Sequence, residues 1–126
     1  MRENELATII LDVAFEIHRQ LGPGLLESVY QAAMIYELKT VRGISVEVEK
    51  PIEVIWKGVN LGLGFRADLI VENKVIVEFK SVDLLSSVHL KQVLTYLRVT
   101  GIKLGLLINF NEPLLKTGVK RVANNL

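Results

Sequence analysis

The sequence predicts an α/β (α+β) fold in which helices flank a mixed four-stranded sheet. Three observations lead to this class. Apolar residues first recur at helical spacing, over residues 5–20 and 25–41. From residue 44 the apolar period becomes two, over three stretches separated by short turns. A further helical stretch, 88–99, then separates the third strand from a fourth, and such an order is typical of a parallel crossover.

The first two segments show where each helix begins and ends. The first carries apolar residues on one stripe, namely Leu6, Ile9, Ile10, Val13, Ala14 and Ile17, and Gly22 and Pro23 end it. The second is expected to bury a stripe made of Leu26, Val29, Ala33 and Leu38, and it stops at Gly43.

The strands are predicted from alternation and from turn residues. They cover residues 44–56, 61–71, 75–81 and 103–110. Glycines in the second stretch suggest a bend or bulge. Trp56 is interpreted as a core or interface residue, and the weakly patterned tail after residue 111 receives no element.

Length and composition predict one globular domain, residues 1–126, with a single core. Fifteen Lys and Arg against fourteen Asp and Glu give a net charge of +1, which gives no support to non-specific attraction to phosphates. The absence of cysteine excludes disulfides, thiol catalysis and zinc–thiolate sites. No apolar run reaches the roughly 20 residues that span a bilayer and no signal peptide is present, so we expect a cytoplasmic protein without a membrane partner.

The stretch "VIVEFKS", residues 75–81, places charges in a strand that is apolar enough to be buried on both faces. Alternation directs its side chains to two faces, with Val75, Val77 and Phe79 on one and Ile76, Glu78 and Lys80 on the other. A buried face with a carboxylate and an ammonium group needs a chemical reason.

Asp68, on the preceding strand, could be a partner of Glu78, and this depends on the register of the hairpin. A two-residue loop, 72–73, would place Asp68 opposite Val77, whereas a three-residue loop, 72–74, would place it opposite Glu78. In the second register the two Cβ atoms lie within roughly 5 Å, and the carboxylates repel each other unless a cation joins them.

Lys80 neutralises only one of the two carboxylates, so a divalent cation is the better partner, and oxygen ligands suit Mg²⁺ or Mn²⁺. The alternative is a structural salt bridge at a sheet edge. Spacing alone favours that alternative, because ion-pair networks also produce such clusters.

Two motifs resemble known families. "RAD" at 66–68 followed by "VEFK" at 77–80 resembles the PD-(D/E)xK nuclease signature, with Ala67 in place of its proline. "GLLESVY" at 24–30 is similar to the Gly-x-x-Glu-x-x-Tyr motif of the GxxExxY family, which belongs to that superfamily. The second resemblance extends over residues 7–111.

The resemblance implies a set of site residues. The metal ligands would be Asp68, Glu78, the backbone carbonyl of Phe79 and Glu27, and the metal would be Mg²⁺ or Mn²⁺. Lys80 would position the attacking water, Gln92 would act near it, and Tyr30 and Tyr96 would lie on the substrate side.

The helix that carries Gln92 shows two stripes in its own pattern. Leu90, Val93, Leu94 and Leu97 form the apolar one. His89, Gln92 and Tyr96 form a polar one, which either lines a cleft or faces solvent. His18 is interpreted as a packing or hydrogen-bonding residue, because the two histidines lack zinc-ligand spacing.

These features support three functional hypotheses. The first is a metal-dependent nuclease that acts on nucleic acid, with DNA favoured. The second is a catalytically silent interaction or DNA-binding module of the same fold, which could form a homodimer around one duplex. The third is hydrolysis of a small phosphorylated molecule.

Overall fold

The computed structural model describes all 126 residues and confirms a mixed α+β class with helices on both faces of one sheet. The elements are α1 (Glu3–Leu21), α2 (Glu27–Ile35), β1 (Val46–Trp56), β2 (Val59–Val71), β3 (Val75–Lys80), α3 (Ser87–Thr100), β4 (Leu104–Asn109) and β5 (Val119–Ala123). A π-helical segment, Tyr36–Val41, continues α2, and a 3-10 turn, Leu115–Gly118, precedes β5. None of the helices combines the length and apolar character that crossing a bilayer requires.

The sheet has five strands, not the four predicted, in the order β1-β2-β3-β4-β5. The central strand β3 is parallel to β4, as the crossover through α3 predicts, and the other neighbours are antiparallel. The missed strand β5 contains exposed Lys120 and Arg121 beside half-buried Val119 and Val122. Such a short, partly exposed edge strand has too weak a pattern to recognise from sequence.

The face of the sheet under α1 and α2 holds the larger core, a cluster of 20 buried residues. The predicted stripe of α1 is confirmed except that Ile9 is only partly buried. The stripe of α2 is different, because Tyr30, Met34 and Leu38 are buried whereas Leu26 is 75% exposed. The helix begins at Glu27, so Leu26 lies at its cap and the buried residues recur every four positions.

The face under α3 holds a smaller core of five buried residues, namely Ala67, Ile70, Ile76, Leu97 and Ile102. Gly105 on β4 allows α3 to approach closely, since a Cβ there would lie 2.6 Å from Cγ1 of Val93. The smaller apolar cluster leaves polar side chains a place on this face of the sheet.

The side chains of strand β2 exchange faces of the sheet at Asp68. Ala67 belongs to the core under α3 and Leu69 to the core under α1 and α2, although residues two apart on a regular strand share a face. The partner strand is also irregular there, because Glu49 has a φ of 48°. Asp68 therefore lies where the long β1–β2 hairpin changes its orientation.

Candidate active site

The β2–β3 hairpin has the register that brings the two acidic residues together. Leu69 pairs with Val77, which leaves the three-residue loop 72–74 and sets Asp68 opposite Glu78. Two loop residues have positive φ values, 51° and 56°. The second of these is an asparagine, which tolerates this conformation well. Of the two registers considered from sequence, the three-residue loop is confirmed.

At the open end of this hairpin each carboxyl group bonds to the main chain of the opposite strand. The Asp68 N–H donates to Oε1 of Glu78 at 3.3 Å, and the Phe79 N–H donates to Oδ2 of Asp68 at 2.9 Å. These bonds take over where the regular pairing ends at Leu69 and Val77. The main chain thus holds the two carboxyl groups in one place, using one oxygen of each.

Glu78 is buried, with 7% of its surface exposed. Burial is the main cause that raises the pKa of its carboxyl group from 4.5 to about 9, followed by the hydrogen bond and the negative charge of Asp68. The Asp68 N–H and the positive charge of Lys80 act in the opposite direction. Glu78 is therefore protonated at neutral pH when no cation is bound.

Lys80 is the last residue of β3 and is half-buried beside Asn109 of β4. The only salt bridge in the protein joins Lys50 and Glu47, at 2.8 Å, so Lys80 forms no ion pair with either acid. Because β3 is central in the sheet, the alternative of a structural salt bridge at a sheet edge is wrong on both counts. The ammonium group is left available to another partner.

Within the polar stripe of α3, Tyr96 faces the acidic pair and Gln92 is exposed to solvent. The ring of Tyr96 stacks on Phe65 with centroids 3.7 Å apart. Burial, then the negative charges of Glu78 and Asp68, raise the pKa of Tyr96, while a hydrogen bond from the Gln92 side chain lowers it. Tyr96 therefore faces the acidic pair, and the exposed Gln92 lies beside it at the mouth of the site.

The two histidines are used elsewhere in the fold. Nδ1 of His89 accepts a hydrogen bond from the Ser86 N–H at 3.0 Å, at the start of α3. Nε2 of His18 lies 2.8 Å from the Glu112 carbonyl oxygen, in agreement with the hydrogen-bonding role expected of it. Of the polar stripe predicted on α3, His89 thus serves the helix start.

Glu27 is the exposed first residue of α2 and lies one helical turn from Gln31. The Gln31 amide donates to the Asp68 carbonyl oxygen at 3.3 Å, so this face of α2 looks toward β2. Glu27 also lines a cleft of about 420 Å³ with Ser81, which follows Lys80 directly. No three His, Cys, Asp or Glu side chains lie close enough together to hold a metal ion, so the acidic site is a pair.

The chain that carries this acidic pair is similar to a known family of nucleases. Residues 4–122 match the model of the PD-(D/E)XK nuclease superfamily. The chain belongs to the PD-(D/E)XK nuclease superfamily. No curated protein and no solved structure matches the chain.

In this superfamily member, Tyr30 fixes the loop before Glu27. Its buried hydroxyl donates to the Gly22 carbonyl oxygen at 2.6 Å and accepts from the Leu25 N–H at 3.0 Å. Its ring stacks on Phe110 with centroids 4.4 Å apart. Tyr30 has no exposed surface, so its hydroxyl contacts the loop and is not open to a substrate, in contrast to the substrate-side place expected of it.

The chain that leaves β3 after Lys80 is held from two sides by residues that sequence analysis missed. The Ser81 hydroxyl donates to the Leu25 carbonyl oxygen at 2.9 Å. The buried Asn109 amide accepts from the Val82 N–H at 3.1 Å and donates to its carbonyl oxygen at 2.9 Å. An asparagine inside the apolar strand "LLINF" was the available signal, because buried amides need hydrogen-bond partners.

The donor set of this nuclease-superfamily site fits a hard divalent cation. Asp68, Glu78 and the main-chain carbonyl of Phe79 offer oxygen only, and Mg²⁺ is commonly held by one or two carboxylates plus water and substrate phosphates. The raised pKa of Glu78 expresses first the penalty of burying a charged carboxylate here, to which the hydrogen bond and the negative charge of Asp68 add. A cation between the two carboxyl groups would offset that penalty.

Proposed function

We propose that the protein is a metal-dependent nuclease that hydrolyses phosphodiester bonds in DNA. The observation that carries this proposal is the convergence of Asp68 and Glu78, held by main-chain hydrogen bonds, with the unpaired Lys80 on the same strand. Within the superfamily, the motif at 24–30 supports membership of the GxxExxY group. We take residues 1–126 as one catalytic domain that acts in the cytoplasm.

In this proposal, Asp68, Glu78 and the Phe79 carbonyl would hold Mg²⁺ or Mn²⁺, and Glu27, which does not converge with the pair, would contribute through water. When bound there, the ion would supply the positive charge that polarises the scissile phosphate and lowers the pKa of a water molecule. The task of the chain is to hold the two carboxyl groups together, which the Asp68 N–H does for Glu78 and the Phe79 N–H does for Asp68.

The remaining side chains act on the water and on the substrate. Lys80 orients the attacking water and stabilises the charge that develops on the phosphate. Gln92, exposed beside Tyr96, contacts the water or a phosphate oxygen, and Tyr96 meets the substrate. Tyr30 positions Glu27 through the loop that its hydroxyl holds.

A catalytically silent DNA-binding or interaction module of the same fold is the rival function. Two observations favour it, namely the net charge of +1 and a site in which only two acids converge. Either function is compatible with a homodimer that embraces one duplex.

Cleavage of labelled single- and double-stranded DNA and RNA separates these functions. With Mg²⁺ or Mn²⁺, we expect the wild-type protein to cleave DNA and Asp68→Asn to lose about 10³-fold or more in rate. Lys91→Ala, which removes an exposed cation on α3, is the matched control and should cleave normally. A wild-type protein that leaves every substrate intact, and whose melting temperature does not respond to either ion, would leave the silent module as the function.

A further inference from the structure

The outer part of the β1–β2 hairpin, residues 52–65, carries an exposed apolar surface that the proposed site does not use. We call this segment the arm. Five large apolar side chains of the arm are between 55% and 61% exposed, namely Ile55, Trp56, Val59, Leu61 and Leu63. Several large apolar side chains exposed on one segment mark an interaction site. The interpretation of Trp56 as a core residue is wrong, which leaves its role as an interface residue.

Strand β1 is the edge of the sheet along the whole arm. Between the pair Ile52–Phe65 and the pair Ile55–Asn60, β1 contributes two residues and β2 contributes four. The extra bulge residues thus lie on the inner strand β2, and the outer edge of β1 continues without insertion. Its outward N–H and C=O groups have no strand partner, and an edge of this kind is a template for pairing with another chain.

We propose that the arm is a self-association surface, on which the end of β1, residues 54–56, pairs antiparallel with the same segment of a second copy around a two-fold axis at Ile55. In this register Ile55 faces its own copy, and Glu53 lies beside Lys57, the turn residue that directly follows β1 in the second chain. These are the only two charged residues of the arm, and they have opposite signs. The two-fold axis creates the same ion pair twice, as an isologous interface requires.

A cleft beside β1 offers room for the largest side chain of the second copy. Val54 lines this cleft of about 410 Å³ together with Arg98 and Val99 of α3. In the proposed register Val54 lies opposite Trp56 of the second chain, and residues opposite each other share a face of the sheet. Each Trp56 would therefore enter the cleft of the other copy, and buried tryptophans are frequent anchors of interfaces.

The charge of the arm argues against nucleic acid as its occupant. One Glu and one Lys cancel, and binding to phosphates needs an excess of cations. The pairing segment also lies between Pro51 and the tip of the β1–β2 hairpin. Asp68 lies on the other side of Pro51, level with Glu49 of β1. Pairing through the arm therefore leaves the acidic site open, and the proposal does not depend on the nuclease function.

Sedimentation velocity over a range from low to high micromolar concentration tests the pairing. We expect the wild-type protein to form a reversible dimer and Ile55→Lys to be monomeric, because two like charges would meet at the axis. Leu84→Lys, at a residue that is 78% exposed outside the arm, is the matched control and should remain dimeric. Circular dichroism confirms that both variants are folded.

Charge reversal tests the register. Glu53→Lys and Lys57→Glu should each weaken the dimer about tenfold or more, since each creates two repulsive contacts. The double variant should restore wild-type affinity. A monomeric wild-type protein, or a dimer that Ile55→Lys leaves intact, would overturn the surface, and a double variant as weak as either single variant would overturn the register.

Discussion

On the face of β3 that meets α1 and α2, the side chains of Val75, Val77 and Phe79 join a cluster of 20 buried residues. On the face under α3, the same strand presents Glu78 and Lys80 beside a cluster of only five. One strand of six residues therefore contributes to two surfaces of different character. The first face provides most of the apolar burial, and the second accepts polar groups in partly buried surroundings.

The unequal size of the two cores explains how this fold tolerates the acidic pair. A buried carboxyl group such as that of Glu78 destabilises a domain, and the large core on the opposite face offsets that effect. Main-chain N–H groups, and not neighbouring cations, hold the pair in place. Changes on the α3 face should therefore alter activity with little loss of stability, and changes on the other face should do the reverse.

The largest expected effect separates activity from stability on the α3 face. Lys80→Ala should lower the rate of DNA cleavage by about 10³-fold, because it removes the charge proposed to act on the phosphate. Its free energy of unfolding should change by less than about 1 kcal/mol, since Lys80 has no ion pair. Cleavage assays and urea unfolding measure the two quantities. A Lys80→Ala variant that loses as much free energy of unfolding as a variant in the large core would contradict the proposed difference between the two faces.

Two neighbouring leucines on β4 compare the faces directly. Leu106 and Leu107 are both fully buried, but only Leu106 belongs to the large cluster. We expect Leu106→Ala to lower the free energy of unfolding by about 4 kcal/mol and Leu107→Ala by about 2 kcal/mol. Urea titration of both variants measures the difference, and equal losses would show that the two faces contribute alike.

The pH dependence of stability tests the acidic pair in protein freed of metal. The folded state holds the proton of Glu78 up to about pH 9, whereas the unfolded state releases it near its ordinary pKa of 4.5. Because the folded state binds the extra proton, stability is greatest below the lower value and falls as pH rises toward the higher one. The slope approaches about 1.4 kcal/mol per pH unit at most.

Glu78→Gln should remove this slope and leave the metal-free protein more stable than wild type at alkaline pH. Asp12→Asn, at an exposed position on α1, should keep it. Thermal unfolding at several pH values between neutrality and pH 9 in the presence of a chelator measures both. Parallel pH profiles for Glu78→Gln and the wild-type protein would contradict the buried proton.

The smallest expected effect lies where α2 meets the site. Tyr30→Phe keeps the ring against Phe110 but removes the bonds to Gly22 and Leu25. We expect a loss of about 1–2 kcal/mol in the free energy of unfolding. Tyr36→Phe, at an exposed tyrosine of the π-helical segment, should change it by much less. Equal effects of the two variants would show that the hydroxyl of Tyr30 does not hold the loop.

Sequence analysis predicted the parts of this fold that depend on local pattern. The alternation in "VIVEFKS" assigned Glu78 and Lys80 to one face, and loop length narrowed the position of Asp68 to two registers. It missed β5, whose apolar alternation is weak, and it placed Leu26 on the buried stripe of α2. A shift of two residues in the helix start was enough for that second error.

The supports of the site were beyond reach of the sequence for a different reason. Gln31, Ser81 and Asn109 act through side-chain bonds to main-chain groups that are distant along the chain. Such bonds depend on how the finished strands and helices meet, and no local period encodes them. The reversal of β2 at Asp68 is also outside the local pattern, and it lies beside the positive φ of Glu49 on the neighbouring strand.

The most direct test of the central claim is titration calorimetry of Mn²⁺ and Mg²⁺ into the wild-type protein and into Asp68→Asn. We expect one ion to bind per wild-type chain, and binding to be lost in the variant while its circular dichroism is unchanged. Binding of equal strength in both proteins, or no binding to the wild-type protein, would contradict the claim that Asp68 and Glu78 form a site for a divalent cation.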